Sequence, residues 1–308
     1  MSRSSLPGVL AVLVAAVLWG TTGTAATFAP DVGPLAMGAA ALGIGGILQA
    51  LVAAPSLLRQ RAALASWRTV VCAGAVGVVI YPLAFYSSMH LAGVAIGTVV
   101  SLGSAPIVSG LLEMLLEHRR PSAWWVLAAV LGIAGSAVLC VAKLHEAPAA
   151  LLHTVTGVGL GLVAGAAYAV YSWAAHRLMG AGVGRAAAMG AIFGLGGLAL
   201  MPVLALTGAP LLATTQALTV GAYMALIPMF VGYLFFGFGL SRVAPSTATT
   251  LTLAEPAVAA VLAVVIVGER LPLIGWAGLA GIGVSLLVLA VAPATRGTAT
   301  SASVRTRL

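Results

Sequence analysis

Runs of about twenty apolar residues follow one another with short breaks from Leu6 to Val291, each long enough to cross a bilayer as an α-helix. This pattern constrains the fold more than any other feature. A backbone in lipid must satisfy its polar groups internally, and helices do so one segment at a time. Only 6% of the 308 residues are charged, where a soluble domain carries about 25%. No stretch is left over for a separate soluble domain. The net charge of +8 has no exposed basic face of the kind that nucleic acid requires.

Ten spans are expected, at Leu6–Phe28, Pro34–Ala54, Thr69–Met89, Ala92–Leu116, Ala123–Ala142, Val155–Ala175, Ala186–Leu206, Leu218–Leu240, Ser246–Val267 and Leu273–Val291. The fold class is an all-α polytopic membrane protein. With ten spans, both termini and every second loop share one side. That side collects Arg3, Arg59, Arg61, Arg68, Arg119, Arg120, Arg177, Arg185, Arg242, Arg296, Arg305 and Arg307, which is 12 of the 14 Lys and Arg. Lys143 and Arg270 fall opposite. The positive-inside rule makes both termini cytoplasmic, and the expected location is the inner (plasma) membrane.

The chain repeats itself. Gly8-Val9-Leu10-Ala11-Val12-Leu13-Val14-Ala15 aligns with Gly157-Val158-Gly159-Leu160-Gly161-Leu162-Val163-Ala164, a shift of 149. Trp19 then falls on Tyr168, Pro82 answers Pro228, Pro106 answers Pro256, and Pro121 with Trp125 answers Pro272 with Trp276. Each half holds five spans, an odd number, so the halves enter the membrane from opposite sides as inverted repeats. The expected units are residues 1–145 and 155–292, followed by a disordered tail over 293–308.

Pro82, Pro106, Pro228 and Pro256 lie inside spans at matched positions and are the expected helix breaks. Substrate sites in inverted-repeat carriers form beside such breaks, near the midplane. Glu255 lies roughly 14 Å into the ninth span, close to the centre of a ~30 Å core. Desolvation there disfavours its charged form. It is read as a proton site or a partner for a substrate ammonium, or as a protonated group bonded to a backbone carbonyl freed by Pro256. Glu113, nearer a span end, reads as a structural group that snorkels towards Arg119 or Arg120.

Aromatics inside the spans are few, and a wall of them with some hydroxyls suits an amphipathic organic solute. The substrate-binding set is Trp19, Thr22, Tyr81, Tyr86, Ser104, Tyr168, Tyr171, Tyr233 and Glu255. Trp67, Trp124, Trp125 and Trp276 sit at span ends and read as interfacial anchors. Cys72 and Cys140 fall near opposite faces and read as buried apolar fillers. No catalytic cluster, metal motif, cofactor motif or P-loop is present, which leaves out an ATP-driven pump. A channel would show rings of equivalent polar residues. The expected partners are a small-molecule substrate and the lipid bilayer, with the monomer as the working unit.

Trp19-Gly20, the proline-centred fourth and ninth spans and the acidic residues that close them, Glu117 and Gly268-Glu269, together resemble EamA-type members of the drug/metabolite transporter superfamily. The resemblance covers the whole chain as two repeats. The second half departs from the first at Tyr168-Ala169, where the first has Trp19-Gly20. The resemblance implies a ten-span carrier with a central cavity that exports amino acids or other small metabolites. YddG-type aromatic amino-acid exporters are compatible with the Trp and Tyr of spans one, three and six. The runner-up is a multidrug or lipophilic-cation exporter with Glu255 as the counter-charge.

Overall fold

The computed structural model describes residues 6–141, 151–267 and 272–291. Its main helices are α1 (Leu6–Ala26), α2 (Pro34–Arg59), α3 (Arg68–Ala92), α4 (Val94–Leu116) and α5 (Ala123–Val141), then α6 (Leu151–Gly180), α7 (Arg185–Thr207), α8 (Thr215–Leu240), α9 (Pro245–Ile266) and α10 (Leu273–Val291). Among the described residues nine are long and apolar enough to cross a membrane, and α5 gives a shorter apolar stretch, Ala123–Val138. The protein is thus a multi-pass membrane protein. Gly268, Glu269, Arg270, Lys143, Arg3 and the tail at 293–308 lie outside the described residues.

Apolar bulk is on the outside. Leu51, Val52, Val76, Leu115, Leu198, Leu206, Val265 and Leu287 all face outward, as does Cys72, which is therefore not the buried filler expected of it. Lipid is as apolar as a leucine, so outward bulk carries no penalty and interiors are free to use small side chains. Ala15, Ala16, Ala39, Ala41, Ala164, Ala174, Ala175, Ala187 and Ala188 are accordingly buried. The two GxxxG pairs serve these internal contacts: Gly161 and Gly165 face α4, and Gly190 and Gly194 face α2.

The helices of one half pack mainly on those of the other. α3 packs on α6, and α1 on α8; α4 packs on α6, and α1 on α9; α3 packs on α7, and α2 on α8. The pairs α2–α7, α5–α10 and α4–α9 also meet. Exchanging α1–α5 for α6–α10 leaves this set of contacts unchanged.

The proline positions behave differently from one another. α3 and α4 run on as helix through Pro82 and Pro106, a correction to the expected breaks there. A proline deletes one helical hydrogen bond, and neighbouring helices can hold the remaining turns in place. Pro228 instead lies in a wide π-turn, Ala225–Val231, within α8. α9 is broken ahead of Pro256 into Pro245–Leu251 and Ala254–Leu262 by the turn at Thr252 and Leu253. A further π-turn, Ala39–Ile44, interrupts α2 without any proline.

All eight arginines among the described residues gather at one end of the bundle. There Arg177 stacks over Trp67 at 5.5 Å, Arg242 over Phe238 at 3.5 Å, and Gln60 accepts a hydrogen bond from Gly184 N at 2.7 Å. Gly8 of α1 meets Arg242 at the same end.

Candidate functional site

The interruptions in α2, α8 and α9 converge with α1 and α3 on one small cavity of about 10 Å³. It is lined by Trp19, Thr22, Ala41, Leu42, Tyr81, Pro82, Phe85, Tyr86, Met229, Tyr233 and Glu255. The volume matches about one water molecule. The bundle therefore leaves little room at its centre.

Six of the nine expected binding residues line this cavity: Trp19, Thr22, Tyr81, Tyr86, Tyr233 and Glu255. Tyr168 and Tyr171 stand one layer behind. Tyr168 donates to Thr252 Oγ1 at 3.0 Å, beside the break in α9, and the Tyr171 and Tyr233 hydroxyls pair at 2.7 Å. Ser104 is not in the group; its hydroxyl donates back to Ser101 O at 3.2 Å, on the face of α4 that meets Gly165 of α6.

The rings form one continuous cluster. Trp19 lies 4.7 Å from Tyr233 and 6.3 Å from its repeat mate Tyr168, and Tyr81 lies 5.5 Å from Tyr168. Phe193 of α7, 4.4 Å from Tyr233, belongs to the cluster and was missed by the sequence reading. So were Ala41, Leu42 and Met229. Nothing distinguishes these from other apolar residues until the π-turns aim them inward.

The π-turn in α8 explains the position of Trp19. Pro228 sits in that wide turn, and its carbonyl accepts from the Trp19 indole N–H at 2.9 Å, which fixes the ring against the cavity. Gly20 lets α1 approach α9 at the same level: a Cβ there would lie 2.7 Å from Val258 Cβ and 3.0 Å from Glu255 O.

Glu255 opens the second segment of α9, and its backbone N–H donates to Thr252 O at 2.9 Å. That carbonyl is thus satisfied by the main chain. Glu255 is 6% exposed and Tyr86 8%, and neither Glu255 Oε2 nor the Tyr86 hydroxyl has a hydrogen-bond partner among the described residues. A buried polar atom left unpaired costs about 1–3 kcal/mol, more if charged, so two of them facing one cavity call for an explanation. No basic side chain joins Glu255 in the lining. Among the described residues no group of three His, Cys, Asp or Glu stands together to hold a metal.

Away from the arginine-rich end a larger groove, about 580 Å³, opens between α1, α8 and α9. Phe28, Val220, Leu262 and Ile266 make it mainly apolar, with Thr21, Thr24 and Thr219 at its polar spots. Thr21 and Tyr223 share a 2.7 Å hydrogen bond beside Thr22.

The EamA-like transporter family model matches residues 6–141 and again residues 155–291. The chain belongs to this family. The EamA assignment agrees with the exchange of contacts between the halves. An "uncharacterized transporter", YwfM, of Bacillus subtilis (strain 168) is 36% identical over 296 residues, covering 95% of this EamA chain and 97% of its own. A protein of Streptantibioticus cattleyicolor named "probable terminal-alkyne amino-acid exporter" is 28% identical over 187 residues, covering 58% and 59%. A solved crystal structure shares the fold at a TM-score of 0.71 and 22% identity, covering 94% of this chain and 96% of that one. The protein is a transporter.

Proposed function

We propose that this transporter is an inner-membrane carrier, secondary-active or facilitative, that exports small amphipathic metabolites by alternating access, with amino acids, aromatic ones included, as the first class to test. The observation that carries this reading is the pair of unpartnered atoms, Glu255 Oε2 and Tyr86 OH, facing a cavity walled by Trp19, Tyr81, Phe85 and Tyr233. A carboxylate and a phenol hydroxyl accept from an ammonium group, while ring faces attract the cation and cover an apolar body. The name of the Streptantibioticus relative supports the amino-acid class.

In this reading the units 1–145 and 155–292 are inverted five-helix repeats, and all ten helices cross the membrane. The contacts that survive exchange of the halves support that arrangement. The arginine-rich end faces the cytoplasm together with both termini. Trp19, Tyr81, Tyr86 and Tyr233 form the binding wall with Thr22. Tyr168 and Tyr171 buttress it, and the breaks beside Pro228 and Pro256 supply the bending. A single copy holds a whole cavity, which supports a working monomer.

Counterflow in proteoliposomes tests the reading. A panel of amino acids, with and without a pH gradient, is expected to include solutes that saturate and are trans-stimulated. Linear flux without trans-stimulation would overturn the carrier reading. A second reading, export of lipophilic cations, is favoured by the lack of a basic side chain in the lining to receive a substrate carboxylate. Faster transport of an amino-acid methyl ester than of the free amino acid would select it.

A further inference from the structure

Glu113 does not reach for Arg119 or Arg120. Its carboxylate crosses to the start of α9, where Oε1 accepts from Ser246 N at 2.7 Å and Oε2 from the Ser246 hydroxyl at 2.9 Å. The N-terminus of α9 needs such a partner. Its cap residue is Ala244, which has no side-chain acceptor, and Pro245 follows it. Glu113 therefore supplies from another helix the cap that the local sequence lacks.

A second polar contact lies one turn deeper. Thr249 Oγ1 and Ser109 Oγ are 3.3 Å apart, and both residues are fully buried. Ser109 and Glu113 are four apart on α4, and Ser246 and Thr249 three apart on α9, so each pair presents one helix face. The result is a short polar seam between α4 and the segment Pro245–Leu251, at the arginine-rich end.

The repeat has no counterpart to this seam. At the shift of 150 that relates Pro106 to Pro256, Ser109 and Glu113 correspond in sequence to Ala259 and Ala263, and Ser246 and Thr249 to Ile96 and Val99. Among the described residues α4 and α9 thus hydrogen-bond each other at one end of the molecule only. The same segment ends where α9 is interrupted at Thr252 and Leu253, between the seam and Glu255.

We infer that Glu113 is the gating residue of the arginine-rich end. By capping α9 it latches Pro245–Leu251 against α4, and release of the latch lets this segment swing about Thr252–Leu253 and open the cavity to that end. The inference rests on the carrier reading for its purpose, and its test needs no transported solute.

The test uses the full chain in oriented proteoliposomes, with Cys72 and Cys140 replaced by Ser and Thr22→Cys as reporter on the cavity lining. The rate of modification by a membrane-impermeant methanethiosulfonate is read separately from each end. Glu113→Ala is expected to raise the rate from the arginine-rich end at least tenfold and leave the opposite end no faster. Ser246→Ala, which keeps the backbone donor, is expected to give a smaller rise in the same direction, and Glu113→Gln, which keeps one acceptor, to restore part of the protection. A disulfide between Glu113→Cys and Ser246→Cys is expected to suppress labelling from that end until it is reduced. Equal rises from both ends would mean general loosening and would overturn the latch, as would an unchanged rate in folded Glu113→Ala. If that variant does not fold, the disulfide pair decides: labelling that is indifferent to reduction overturns the latch. Counterflow with no gating response removes the latch alone, and a gating response with no counterflow removes the carrier reading alone.

Discussion

Two atoms dominate the residue scale. A carboxylate held in a nearly waterless pocket with one oxygen unpaired is expensive, and a shape-preserving neutral replacement tests what it is kept for. Glu255→Gln is expected to cut transport of amine-bearing solutes at least tenfold and abolish the dependence of rate on pH, without lowering the melting temperature. Uptake in proteoliposomes across pH 5 to 9, with a melting curve in detergent, checks both parts; normal transport at every pH would reduce Glu255 to a structural group. Trp19 has two separable roles. Trp19→Phe keeps a ring at the cavity but deletes the indole donor to Pro228 O, for an expected cost of about 1–3 kcal/mol in stability. Trp19→Ala removes the wall as well and should weaken apparent affinity for large aromatic solutes more than for small ones. Equal loss for both sizes would point to misfolding.

Among the elements, the four prolines do not act alike. Pro256 follows a real interruption in α9, whereas α4 is continuous through Pro106. Pro256→Ala is therefore expected to give a folded protein with turnover reduced several-fold, and Pro106→Ala a protein close to the parent. A matched slowing in both variants, measured as initial rates at saturating solute, would count against the hinge at Thr252–Leu253. Where α1 meets α9, Gly20→Val places a Cβ carrying two methyl groups 2.7 Å from Val258 Cβ, and overpacking of this kind costs about 1–3 kcal/mol. The expected outcome is a lower melting temperature together with loss of transport, since the displaced helix carries Trp19 and Thr22.

For the whole molecule, the proposed orientation rests on the distribution of charge. The eight described arginines mark one end, and the opposite end carries the 580 Å³ groove. Single cysteines at Ser66, in the link between α2 and α3, and at Thr27, just beyond α1, should label from opposite sides, Ser66 from the cytoplasm and Thr27 from outside. Labelling of both from one side would end the ten-span topology and with it the inversion of the repeats. The small central cavity lies between the polar seam at the arginine-rich end and the groove at the other.

Sequence alone determined the class of molecule, because apolar runs of bilayer length leave a backbone no alternative to helices. It also placed the repeat, since proline and aromatic landmarks recur at nearly fixed spacing, and it singled out most of the cavity lining, because Glu255 and a handful of aromatics are conspicuous against an apolar background. What it could not decide was anything that depends on which helix lies opposite which. Pro82 and Pro228 read alike along the chain, yet one helix continues and the other widens into a π-turn, as the packing around each dictates. Ala41, Leu42 and Phe193 carry no local mark, and only the turn in α2 and the approach of α7 bring them to the centre. Glu113 read as a surface anchor for nearby arginines, its neighbours in sequence. Its actual partner is 133 residues away, because an uncapped helix N-terminus offers a carboxylate two directed donors, where an exposed arginine offers only a screened charge.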